Sequence, residues 1–178
     1  MKRVSFVLAV LALAALPLAL ASAAEMKHQH AAAGPSALDP IKKLAGEWVG
    51  KAGPAGGKEM DAAVTYHVTA SGSAVMETLF PGTDHEMVTM YTLDKGNVVL
   101  THYCDSGNQP RMKARKGTPA NELVFDFAGG ANLDPGKDRF MHNAKMVLVD
   151  DRHLRSEWTS WQGGKEQGTV VLKLERKK

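Results

Sequence analysis

The sequence predicts an all-β protein: an antiparallel up-and-down β-barrel of about ten strands with a short N-terminal helical turn. Two patterns carry that expectation. Runs of about five to ten residues alternate apolar with polar side chains and are cut by Gly, Pro, Asn and Asp, as strands and turns are. The connections between the runs are short, whereas parallel strands need crossovers of about a dozen residues or more. A long antiparallel meander leaves two unpaired edges, and closing into a barrel removes them. A two-sheet sandwich is the alternative. Composition fits a folded domain. The 178 residues are 44% hydrophobic and 23% charged, which excludes a disordered or collagen-like chain.

The first segment reads as an address. Lys2 and Arg3 precede an apolar run from Val4 to Leu20, and Ala21-Ser22-Ala23 supplies a small-residue cleavage site, with Ser22-Ala23-Ala24 beside it. These are the three parts of a secretory signal peptide, expected over residues 1–24. The run is marginal against the roughly 20 apolar residues of a membrane span, so a periplasmic or secreted protein without a stable membrane anchor is expected. Residues 25–37, rich in Ala with Gly34 and Pro35, read as a flexible linker. Met26, His28 and His30 lie in it; they are soft or borderline metal ligands by type, but the segment reads as a tether.

The barrel domain is expected over 38–178. Asp39 before Pro40 reads as an N-cap with proline at the first helical position, giving one turn over Pro40–Leu44 that Gly46 stops. Strands are predicted near 47–52, 59–70, 73–80, 85–94, 97–105, 110–116, 122–128, 139–150, 153–162 and 166–176. Ser71-Gly72, Lys95-Gly96 and Gly163-Gly164 supply the positive φ of tight hairpins. Alternation then assigns inward faces. Ala62, Val64, Tyr66 and Val68 share one; so do Val98, Leu100, His102 and Cys104. Phe140, His142, Ala144, Met146 and Leu148 form another set, as do Leu154 and Trp158, and Val170, Leu172 and Leu174. The strands at 73–80 and 85–94 are apolar on both faces, so their parity stays open. Glu77, Arg111 and Glu157 are expected to point outward.

Leu44-Ala45-Gly46-Glu47-Trp48-Val49-Gly50 has the form L-x-G-x-W-x-G at the start of the first strand. It resembles the opening of the calycin barrels: lipocalins, fatty-acid-binding proteins and the nitrobindin-like barrels. The resemblance implies that Trp48 plugs the barrel base and that Arg176, late in the final strand, lies over it. Gly53 to Gly57 is too short for the two-helix lid of the fatty-acid-binding proteins, and no helix follows the last strand as in lipocalins. The chain is therefore most similar to nitrobindin-like barrels and to uncharacterised secreted bacterial barrels, whose motif Leu100-Thr101-His102-Tyr103-Cys104 resembles. Nitrobindin-like proteins hold ferric haem through a histidine in the last strand. Glu166 to Arg176 has none, so only His102 or His142 could substitute.

The expected function is a binding protein that holds a small, mostly apolar ligand in a barrel lumen lined by Trp48, Tyr66, His102, Cys104, His142 and Trp158. The alternatives are a haem- or metal-binding barrel using His102, His142 or Cys104, and a structural interaction protein of the envelope. No catalytic residue, resident metal or cofactor is assigned. Ser71-Gly72-Ser73 lacks the G-x-S-x-G elbow, and His85-Glu86 lacks a second His four residues on. Net charge is +3, but the leader carries two of the 22 basic residues, leaving 20 against 19 acidic ones. Nucleic acid is therefore not an expected partner. Cys104 is the sole cysteine, so stability must come from a core rather than an internal disulfide.

Overall fold

Ten antiparallel strands close into one barrel in the computed structural model, which describes residues 36–178. The leader over 1–24 and residues 25–35 of the tether, with Met26, His28 and His30, lie outside the described residues. A four-residue helix, α1 (Asp39–Lys42), precedes β1 (Gly46–Pro54), β2 (Met60–Thr69), β3 (Ala74–Leu79), β4 (Met87–Asp94) and β5 (Asn97–Tyr103). There follow β6 (Gln109–Ala114), β7 (Glu122–Ala131), β8 (Arg139–Leu148), β9 (His153–Gln162) and β10 (Lys165–Arg176). Each strand pairs with its sequence neighbour, and β1 pairs with β10 to close the ring. The sandwich alternative is thereby excluded.

The turns set the registers. Lys95 and Gly96 both adopt positive φ, the backbone of a two-residue type I′ hairpin, and so do Gly163 and Gly164. The helix start differs from expectation. The N-cap position is Leu38, with no side-chain cap, and the Asp39 carboxylate instead accepts the Ser36 N–H at 2.7 Å.

Alternation puts Trp48, Val64, Tyr66, Leu100, Phe125, Met146, Leu154 and Leu174 into the core. At the base, Leu38, Ile41 and Leu44 bury against this cluster and form a plug. Trp48 donates its indole N–H to the Leu44 carbonyl at 2.8 Å. The Arg176 guanidinium sits 4.4 Å from the centre of the Trp48 ring. It also donates to the carbonyls of Ala45 and Lys43, each at 2.7 Å, just beyond the end of α1. Beside this closure β1 and β10 run so close that a Cβ on Gly50 would stand 1.9 Å from the Lys173 carbonyl oxygen, so only glycine fits.

Charged pairs stud the outer wall, including Lys51 with Asp61, Arg115 with Asp126 and Lys173 with Glu59. A lipid-facing barrel carries an apolar band there instead. Among the described residues no helix is long and apolar enough to cross a membrane.

Arg176→Met keeps much of the packing over Trp48 but removes the cation and its N–H donors. A cation–π contact contributes about 0.5–2 kcal/mol and a charged hydrogen bond about 1.5–3. With partial exposure the expected loss is about 2–3 kcal/mol, read as a lowered urea midpoint with an unchanged m-value.

Candidate functional site

A polar row crosses the barrel interior because the hairpin registers align it. Tyr66 on β2 stands opposite Glu77 on β3, Glu77 opposite Thr89 on β4, and Thr89 opposite His102 on β5. Glu77 is buried and inward, against the outward position expected of it. With apolar residues on both faces of 73–80, the alternation gave no parity; Val75 and Leu79 share its inward face. Arg111 and Glu157 do lie outside, against Asp94 and Arg155.

Hydroxyl groups converge on the Glu77 carboxylate. Tyr66 donates to one oxygen at 2.6 Å and Tyr91, also on β4, to the other at 2.8 Å. Thr89 stands opposite it in the β3–β4 ladder. Burial pushes the Glu77 carboxyl above the usual carboxylate range, and these donors partly hold it down. Burial, together with the adjacent carboxylate, keeps both phenols well above their ordinary range, so they remain donors.

His102 ends the row. Its Nδ1 lies 3.0 Å from the Thr89 hydroxyl, and burial depresses its pKa to about 4, leaving the ring neutral at pH 7. The ring meets Trp158, which reaches across the lumen from β9, with centroids 4.7 Å apart. Nε2 of His102, Nε1 of Trp158 and Oγ of Ser156 are buried with no hydrogen-bond partner.

Above the two rings a cavity of about 370 Å³ opens toward the β1–β2, β3–β4 and β5–β6 connections. Ala52, Leu79, Phe80, Met87, Met141, Val170 and Leu172 form its apolar wall, and Met60, Asp61, His85 and Asp105 also line it. His102 and Trp158 are its floor. Below them the lumen is filled. Volumes of about 300–1,000 Å³ with apolar walls and few polar groups are typical of small-molecule sites.

The six residues expected to line a ligand site separate. His102 and Trp158 line the cavity. Trp48 is sealed into the base and Tyr66 is bound to Glu77 below the floor. Cys104 lies beyond the end of β5, in a turn where Ser106 donates to its sulfur at 3.1 Å. It lines a separate recess with Phe140 and Ser160. A β-bulge between Met141 and Asn143 breaks the alternation in β8, so Met141 reaches the cavity. His142 instead stacks on Trp161 at 4.0 Å, with Phe127 5.1 Å away. Among the described residues no three His, Cys, Asp or Glu side chains gather to hold a metal ion, so His102, Cys104 and His142 do not form one site.

No protein-family model matches the chain, and no curated protein matches it. Among solved structures it is similar to Rv2717c from M. tuberculosis, with a TM-score of 0.53 and 13% identity over 79% of this chain and 97% of that one. It is also similar to a protein of unknown function from the DUF3598 family of Nostoc punctiforme PCC 73102. There the TM-score is 0.52 and identity 14%, over 77% of this chain and 49% of that one, so this chain spans about half the length of that protein. At these identities the likeness is one of fold.

Two stability measurements test the polar row. Tyr91→Phe removes a donor from a buried carboxylate and should cost about 2 kcal/mol at pH 7. For His102 the folded pKa lies below the unfolded value of about 6.5. The unfolded chain therefore takes the proton first, and stability falls as pH drops from about 6.5 to about 4, by up to about 3 kcal/mol. Glu77 acts with the opposite sign, since its folded pKa lies above its unfolded one. Urea titrations across that range should show the His102 slope in the parent and a flatter profile in His102→Gln.

Proposed function

We propose that this chain is a secreted or periplasmic binding protein that holds a small, mostly apolar molecule in its barrel lumen. The observation that carries the reading is the cavity of about 370 Å³ above His102 and Trp158, apolar in its wall and open at one end only. The filled lower lumen and plugged base make it a cup rather than a channel. The calycin-like assignment is supported by the L-x-G-x-W-x-G opening and by Arg176 over Trp48. The leader-like segment over 1–24 supports export.

Nile red, a neutral apolar dye, should bind one per chain with an emission shifted to the blue. Val170→Trp adds bulk to the cavity wall and should weaken it about tenfold or more; equal binding by this variant would mean that the dye sits elsewhere. Native mass spectrometry of protein taken from the periplasm, without a metal-affinity step, should show a chain beginning after Ala23 or Ala24 and carrying a lipid-sized adduct. A bare chain that also ignores Nile red would sink the reading, and a haem or metal mass would replace it.

A further inference from the structure

The charge around the open end of the barrel is one-sided. The cavity opens toward three connections: 55–59 between β1 and β2, 80–86 between β3 and β4, and 104–108 between β5 and β6. Together they carry Glu59, Asp84, Glu86 and Asp105 against one cation, Lys58. Some carboxylates near the mouth are already neutralised. Lys173 binds Glu59 at 2.7 Å, and Lys51 binds Asp61, which also lines the cavity, at 2.6 Å. Asp105 differs. It lines the cavity, its side chain is 40% exposed, and the basic group beside it is His85, whose Nδ1 is 3.4 Å from Oδ2. Among the described residues no Lys or Arg lines the cavity.

Deeper in, the lining offers no charge. The wall is hydrocarbon and thioether, from Leu79, Met87, Met141, Val170 and Leu172. The floor is two rings whose outer nitrogens, Nε2 of His102 and Nε1 of Trp158, are buried. A ligand suited to this cup has an apolar chain for the wall and one head group for the mouth. An anionic head would meet Asp105 with no Lys or Arg to offset it, and like charges brought together oppose binding. An ammonium head brings the opposite charge and N–H donors for carboxylate oxygens. We propose that the cavity takes a cationic amphiphile, an alkylammonium whose head pairs with Asp105 and whose chain runs down to His102 and Trp158. This rests on the lumen being a binding site, as proposed above.

The test uses three probes with one ten-carbon chain: decylamine, decanoate and the neutral 1-decanol. Each displaces Nile red from the purified protein at pH 8.5, where free histidine is neutral and an alkylamine keeps its proton. Decylamine is expected to displace at about tenfold lower concentration than decanoate. Asp105→Asn keeps the shape of the side chain and removes its charge. It should weaken decylamine several-fold, strengthen decanoate and leave decanol unchanged. Asp61→Asn, whose carboxylate Lys51 already neutralises, should leave the order and spacing of the three probes within about twofold. Circular dichroism confirms the fold of each variant. If Nile red does not bind the parent protein, the binding reading itself fails. If it binds and decanoate equals or exceeds decylamine, the inference is overturned while the reading stands. An Asp105→Asn variant that shifts all three probes alike, or none, overturns it too. So does an Asp61→Asn variant that weakens decylamine as much as Asp105→Asn, since the attraction would then be a diffuse field and not a seat for the head group.

Discussion

The Arg176 guanidinium lies over Trp48 and donates to the carbonyls of Lys43 and Ala45, so one side chain ties the last strand, the first strand and the helical plug together. A meander of ten strands has two free edges, and this is where they meet. Residue identities on both sides are adapted to the meeting. Gly50 leaves room for the Lys173 carbonyl, and Trp48 fills the space beneath the plug. With the base sealed in this way, empty volume is confined to the other end.

The interior is layered. At the bottom is an ordinary hydrocarbon core. In the middle, Glu77 is stabilised by hydroxyl groups rather than by a cation, so the layer stays uncharged apart from one carboxyl whose ionisation is disfavoured. Such a network is costly unless it is fully satisfied, which explains why Tyr66 and Tyr91 keep their hydroxyls deep in a barrel. At the top, His102, hydrogen-bonded to Thr89, meets Trp158 across the lumen, and the two rings form the cavity floor.

Most of the fold was legible because turn chemistry and alternation agree. All ten strands lie where the polarity pattern puts them, and the type I′ pairs at Lys95-Gly96 and Gly163-Gly164 were marked by glycine. The site was legible only in part. Counting back from Lys95-Gly96 sets Thr89 opposite His102, so that pair was within reach of the sequence. Glu77 was hidden because β3 is apolar on both faces, and parity comes only from its partners. The β8 bulge could not be read from composition, and it exchanges Met141 for His142 at the cavity. Cys104 fits the alternation of β5, but the strand ends one residue before it. The contact of His102 with Trp158 joins strands that are not neighbours in the sheet, and local pattern carries no information about it.

The order of pairing has a kinetic meaning. Nine of the ten strand pairs join consecutive strands and can form as hairpins, whereas β1 and β10 are the two strands furthest apart in the chain. Until they pair, β1 and β10 are open edges bearing Val49, Ala52, Val171 and Leu172, the kind of surface on which chains associate. Ring closure is the long-range, entropically expensive step of folding. The base contact covers both edges at once, so a chain lacking its final strand should aggregate rather than populate a nine-stranded monomer.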